Sequence, residues 1–151
     1  MDTTKSLLAG LHFFKGLKPE HLDLATRCAT DRIFKPDQFL FHEGEAADVF
    51  FIIRSGRVQI EVFSHKRGPI TIQTIDAGEI VGWSWMVPPY CWRFDARATE
   101  PTSVIAIDGK CLREMCEKDH SLGYELMKSF ALVIAERLEA TRLQLLDVYG
   151  K

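Results

Sequence analysis

The sequence has no apolar run that approaches the roughly 20 residues needed to cross a bilayer. Residues 1–11 lack both the apolar core and the small-residue cleavage site of a signal peptide. A cytoplasmic protein with no membrane partner is expected on that ground. Nor is there an excess of one charge: 19 basic against 21 acidic residues give a net charge of -2, so no global field draws the chain to nucleic acid. Cysteine is sparse, and Cys28, Cys91, Cys111 and Cys116 contain no CxxC pair, which argues against a zinc site or a disulfide framework. Cys111 and Cys116 are five apart on an expected helix, where residues sharing a face are three or four apart. All four thiols are expected to be reduced. Five dispersed histidines (His12, His21, His42, His65 and His120) form no HxH pair, so a metal enzyme that gathers His and Glu on adjacent strands is disfavoured. No catalytic group is assigned, and the expectation is a protein that is not an enzyme.

What is present is enough apolar material for one core: 151 residues, 46% hydrophobic, within the usual size of one domain. Residues 5–29 follow helical spacing, broken at Gly16 and restarted at Pro19, whose fixed φ suits a first helical turn. The period then changes. Residues 49–53 form a continuous apolar run that suits a strand buried on both faces. Residues 57–63 alternate, with Val58, Ile60 and Val62 on one face and Arg57, Gln59 and Glu61 on the other. The polar stretch 64–68 reads as a hairpin turn, after which Ile70 and Ile72 resume the alternation. Phe94, Ala96 and Ala98 alternate again, and residues 103–107 give a last strand. Many short strands joined by Gly and Pro turns indicate a closed or double-sheet β-structure.

Helical spacing returns at Asp108, a candidate N-cap for a segment ending near Lys118, with Asp119 or Ser121 capping a much longer helix. Two stripes run along that helix. Leu122, Leu126, Phe130 and Val133 form one that can pack on the β-body. Met127, Ala131, Ile134, Leu138, Thr141, Leu145 and Val148 form the other, with the four-three spacing of a coiled-coil seam. A homodimer through this seam is expected.

Three segments together resemble the sensor half of the Crp/Fnr superfamily. The first is Phe14, Gly16 and Leu17 with the helix after Pro19. The second is Gly44-Glu45-Ala46 followed by Phe50-Phe51-Ile52-Ile53 and Gly56-Arg57-Val58. The third is Gly78-Glu79-Ile80-Val81-Gly82, which looks like the start of a phosphate-binding cassette. At the C-terminal end, Ala135-Glu136-Arg137-Leu138-Glu139-Ala140-Thr141 resembles the long dimer helix of such regulators. The resemblance implies a mainly β fold with flanking helices, a double-stranded β-helix or jelly roll. It would form one cyclic-nucleotide-binding-like domain over 1–151, with a helical lead-in at 5–30, the β-roll at 31–108 and C-terminal helices at 109–149, ending in a long dimerisation helix.

In function, the resemblance implies a ligand-sensing regulatory domain whose effector is small and anionic, cyclic AMP or another nucleotide-like molecule. A cyclic phosphate needs a cation, preferably a guanidinium, and backbone N–H groups, while ribose needs a carboxylate acceptor. Gly78 and Glu79 match the family's Gly-Glu pair. If Arg97-Ala98 is aligned with the basic-small pair on the family's next strand, the phosphate-binding Arg falls on Trp92, with Arg93 one place along. Gly78, Glu79, Ile80, Val81, Arg93 and Phe94 are therefore the candidate ligand residues, with Thr141 reaching in from the long helix. Trp83, Trp85, Pro88, Pro89, Tyr90 and Trp92 crowd the same segment. Two readings of them stand: they reshape the pocket for a divergent ligand, or they plug it and leave a ligand-free dimerisation and interaction module. The superfamily's regulators continue into a helix-turn-helix, which needs two further helices. Only Gly150 and Lys151 follow Tyr149, so no DNA binding by this chain is expected, and the output partner would be another protein.

Overall fold

The computed structural model describes residues 3–149, with side chains for residues 6–11 and 13–147. The lead-in consists of α1 (Thr3–Ala9), a 3-10 turn at His12–Phe14 and α2 (Pro19–Arg27). Lys18 is extended and Pro19 opens α2, with Glu20 in the first turn and Arg27 in the last, where each complements the helix dipole.

Eight strands follow: β1 (Ala29–Phe34), β2 (Phe39–Phe41), β3 (Val49–Ser55), β4 (Arg57–Ser64), β5 (Gly68–Asp76), β6 (Ile80–Val81), β7 (Asp95–Ala98) and β8 (Thr102–Asp108). They pair antiparallel in two four-stranded sheets, in the orders β1-β8-β3-β6 and β2-β7-β4-β5. One core lies inside the roll, where Phe51, Ile53, Val81, Val104 and Ala106 of the first sheet meet Phe41, Val58, Ile60, Ala96 and Ala98 of the second. A second core lies outside the first sheet, where helices cover Phe50, Ile52, Ile105 and Ile107. This is why the middle of β3 is continuously apolar: alternate residues serve different cores, and both faces are dry.

The clean alternation expected for β4 fails at one place. A bulge against β5 falls between Ile60 and Glu61, and Glu61 is only 4% exposed. Its carboxylate is covered by Arg97 of β7, which donates from Nη2 at 2.7 Å and from Nε at 3.3 Å. A carboxylate can be buried there because it is paired.

After β8, α3 (Gly109–Lys118) is capped by the Asp108 side chain, which accepts from the Cys111 N–H at 3.0 Å. The long α4 (His120–Tyr149) is opened by Asp119, whose Oδ1 accepts from the N–H groups of Ser121 and Leu122. Leu122, Leu126 and Phe130 are fully buried and Val133 partly so, in the core under the first sheet. Beyond them the helix leaves the body. Met127, Ala131, Ile134, Leu138, Thr141 and Leu145 of the expected seam are all exposed, with Met127 at 54% and Leu138 at 60%. The Val148 side chain lies outside the described residues.

The expectation of four reduced cysteines is corrected. Cys28 and Cys111 form a disulfide across a sequence separation of 83. Spacing along the chain could not reveal it, because pairing of β1 with β8 sets Ala29 opposite Ile107 and so brings the end of α2 beside the start of α3. Cys91 and Cys116 are free.

Candidate ligand site between the roll and the long helix

Residues 78–81 form the turn into β6, and its geometry needs a glycine. Gly78 has φ +89°, its N–H donates to Ile53 O at 2.8 Å, and the Ile53 N–H donates to Glu79 O at 3.0 Å. Glu79 stabilises the same turn, since its Oε1 accepts from the Asp76 N–H at 2.8 Å. Ile80 and Val81 are buried in opposite cores, so they offer a ligand backbone and not side chain. Gly78, Glu79 and Ile80 border a cavity of about 400 Å³ whose far wall is α4.

The cation at this cavity is Arg137 of α4. Its guanidinium donates to the Ile80 carbonyl and lies 5.5 Å from the centre of the Trp83 ring. Burial holds its proton affinity below that of an ordinary arginine, against the opposing fields of Glu79 and Glu136. Arg137 and Gln73 also border an adjoining cavity of about 240 Å³, lined further by Trp83, Phe94, Leu138 and Thr141. Thr141 is one turn beyond Arg137 and its Oγ1 donates to the Arg137 carbonyl at 2.9 Å, which leaves the hydroxyl oxygen's acceptor capacity for a neighbour. The structure thus brings together Gly78, Glu79 and Arg137 at one cavity and Phe94, Thr141 and Arg137 at the next.

Arg93, the expected phosphate partner, lies outside this arrangement: it is exposed and borders neither cavity. The reason is its neighbour. Trp92 turns into the roll and stacks on Phe41 with centroids 3.7 Å apart. The Trp92 ring also fills the space where a Cβ on Gly82 would stand, 2.5 Å from the nearest ring atom. Arg97 points out of the second sheet and is held by Glu61, by Gln59 at 3.2 Å and by Asp37 at 2.7 Å.

Arg137 is not among the ligand residues that the sequence suggests, although it lies within the segment that resembles the dimer helix. The available signal was a basic residue four before Thr141, hence on the same helical face, beside the apolar seam.

The family model for the cyclic nucleotide-binding domain matches residues 31–119. Acetyltransferase Pat of Mycolicibacterium smegmatis is 40% identical over 78 residues, which cover 50% of this chain and 22% of that protein. The chain therefore spans well under half the length of that relative. The crystal structure of a protein described as cyclic nucleotide-binding from Geobacter metallireducens GS-15 superposes with a TM-score of 0.81 at 30% identity, covering 91% of this chain and 99% of that one. A cyclic nucleotide-binding domain from Methylobacillus flagellatus KT shares the fold with a TM-score of 0.80 at 18% identity, over 95% and 81% of the two chains. With its roll, its flanking helices and the match over residues 31–119, the chain belongs to the cyclic nucleotide-binding domain family, whose fold is that of Crp/Fnr-type sensor domains.

Proposed function

We propose that this chain is a non-enzymatic sensor domain that binds a small anionic effector, of the cyclic nucleotide class, in the cleft between the roll and α4, and transmits its state through a helix-mediated homodimer. The observation that carries this reading is the position of Arg137, a half-buried arginine on α4 that borders both adjoining cavities. A phosphate there would meet a fork of N–H donors in a site partly shielded from water, where charge-assisted bonds are strongest. Glu79 supplies an acceptor for a sugar hydroxyl, and Trp83 and Phe94 supply faces for a base. Because α4 holds both the cation and the exposed seam, an effector that prefers one placement of α4 would shift a dimer between two arrangements. The reader of that change would be a protein partner or an attached activity.

The crowded interior favours a second reading. Trp92 stacked on Phe41 against Gly82 occupies roll space that a ligand could use, which fits a ligand-free dimerisation module.

A thermal-shift panel of cyclic and linear nucleotides separates the two. Cyclic AMP or a relative at a hundred times its dissociation constant should stabilise the fold by about 2.7 kcal/mol. Arg137→Met should remove most of that shift while Arg93→Met keeps it. No shift with any nucleotide would support the filled roll.

A further inference from the structure

The Cys28–Cys111 disulfide fastens the lead-in to the helices behind the roll. Cys28 is the C-cap of α2, and Cys111 lies in the first turn of α3, which is followed at Asp119 by α4. A weaker tie joins the same elements further back along α2, where His21 Nε2 lies 3.4 Å from Asp119 Oδ2. The two sulfurs are not equally protected. Cys28 is 5% exposed and its Sγ lies 3.8 Å from Met115 Sδ in the core under the first sheet, whereas Cys111 is half-buried. Both cysteines border a cavity of about 300 Å³ that shares no lining residue with the ligand cleft.

We propose that this cavity is a thiol–disulfide exchange site, where a small thiol carrying a carboxylate opens the bond in the folded protein and frees α2 from α3. The charges around the disulfide select the class of thiol. Arg27 and Arg32 border the cavity, and Arg32 is held across the rings of Phe34 and Phe51, 5.0 and 5.6 Å from their centres. Two carboxylates are also there. Asp48 is offset by Arg113 at 3.8 Å, and Asp108 accepts from the Cys111 N–H, so the balance beside the sulfurs is positive.

The incoming thiolate attacks Sγ of Cys111, the more exposed residue. A bond forms between those two sulfurs and the bond to Cys28 breaks. Cys28 Sγ leaves with the electron pair and takes a proton from water, so the first product is a mixed disulfide on Cys111 with a thiol at Cys28. Arg27, next to Cys28 in sequence, favours both the approach of an anionic thiol and the negative charge on the departing sulfur. A second thiol attacks the small-molecule sulfur of the mixed disulfide and releases Cys111. Two small thiols are thereby oxidised to their disulfide as the protein disulfide is reduced to two thiols, and the reverse sequence restores the tie. The start of α4 would then answer to thiol supply independently of any effector in the cleft, since neither Arg137 nor Glu79 borders this cavity.

The test uses the full chain in its disulfide form with excess 3-mercaptopropionate, and 3-mercaptopropionamide as the uncharged counterpart. Samples are quenched in acidic N-ethylmaleimide and mapped by mass spectrometry. Early samples should carry mercaptopropionate on Cys111 and maleimide on Cys28. The opening rate should stay flat in urea below the unfolding transition, whereas opening through global unfolding would rise steeply with urea. Arg27→Gln should slow the acid about threefold relative to the amide, the scale of an exposed charge contact. The reduced wild type should keep the circular dichroism of the roll, and the amide signals of Ser121 and Leu122 should move while that of Ala98 stays. The proposal is overturned by opening that tracks unfolding in urea, by early adducts on Cys28 in place of Cys111, by acid and amide slowed alike in Arg27→Gln, by Ser121 and Leu122 signals that do not move, or by loss of the fold on reduction.

Discussion

The guanidinium of Arg137 donates to the carbonyl of Ile80, so a side chain from the middle of α4 is fixed to the first residue of β6. That bond joins the long helix to the turn that begins at Gly78. Replacing Arg137 by Met keeps an apolar stem and removes the donor. The expected cost is about 1.5 kcal/mol, the worth of a hydrogen bond to a charged group. Urea unfolding measures it, and amide exchange at Val81 should quicken more than exchange at Ile105 in the middle of the first sheet. Equal acceleration at both would mean that the bond steadies the whole fold and not this junction.

Arg97 should behave in the opposite way. Its contacts with Glu61, Gln59 and Asp37 are on the outer face of the second sheet, away from both cavities at the cleft. Arg97→Met leaves the Glu61 carboxylate buried without its main partner and should cost about 2 kcal/mol near neutral pH. Any nucleotide-induced thermal shift should survive. Loss of the shift would place Arg97 in the site and Arg137 outside it.

These two arginines also mark what the sequence could reveal. Strand periods, caps at Asp108 and Asp119, and the two stripes of α4 were legible because each depends on residues close in sequence. Gly78 and Glu79 were legible as a turn with a motif. Arg137, Trp92 and the Cys28–Cys111 pair were not, because their roles depend on how distant strands register: β6 beneath α4, Trp92 against Gly82, and β1 beside β8. The buried Glu61 was missed for a local reason, since one bulge on the β4–β5 ladder breaks the alternation that the pattern assumed.

Gly82 has φ +97° and faces the Trp92 ring, so an added methyl group meets both a strained backbone and an occupied space. Gly82→Ala should destabilise the fold by about 3 kcal/mol, combining overpacking with the backbone penalty. Trp92→Leu vacates the space but not the backbone strain. In a double-mutant cycle the two changes should therefore couple favourably by about 1 kcal/mol, which chemical denaturation can resolve. Strict additivity would show that the penalty is backbone alone.

The thiols give a prediction with a pH window. Denatured without reductant, the protein should present two reactive thiols, Cys91 and Cys116, and four after reduction. Loss of the disulfide should cost about 4 kcal/mol, since it closes a loop across a sequence separation of 83. Burial, with lesser contributions from Asp119 and Glu117, pushes the Cys116 thiol up to about 11. In the unfolded chain a cysteine titrates near 8.5. The folded state therefore holds the proton more tightly. Its contribution to stability is complete below about pH 8.5 and is lost as pH rises toward 11. Alkylation of the native protein by iodoacetamide at pH 8 should modify Cys91 well before Cys116, and Cys116 should accelerate as pH approaches 11. Equal rates at pH 8 would contradict the shielding of Cys116.

The exposed stripe of α4 yields the last prediction. Met127, Ile134, Leu138 and Leu145 are solvent-facing at four-three spacing, and Leu132, Leu143 and Leu146 add apolar surface beside them. So much uncovered hydrocarbon on one helix calls for a partner, and a second copy is the simplest, because a twofold pairing covers the same stripe on both chains at once. Leu138 lies near the middle of the seam and borders the smaller cavity next to Arg137, so a dimer contact there would adjoin the proposed ligand cleft. Leu138→Asp would bury a carboxylate with no partner in the interface. The mass from light scattering should fall from dimer to monomer, while the circular dichroism of the roll is retained. A Leu138→Ala variant, which weakens the contact without adding charge, should dissociate on dilution and re-form on concentration. A wild type that is monomeric at micromolar concentration would remove the dimer from the proposed mechanism and leave α4 as a docking element for a different protein.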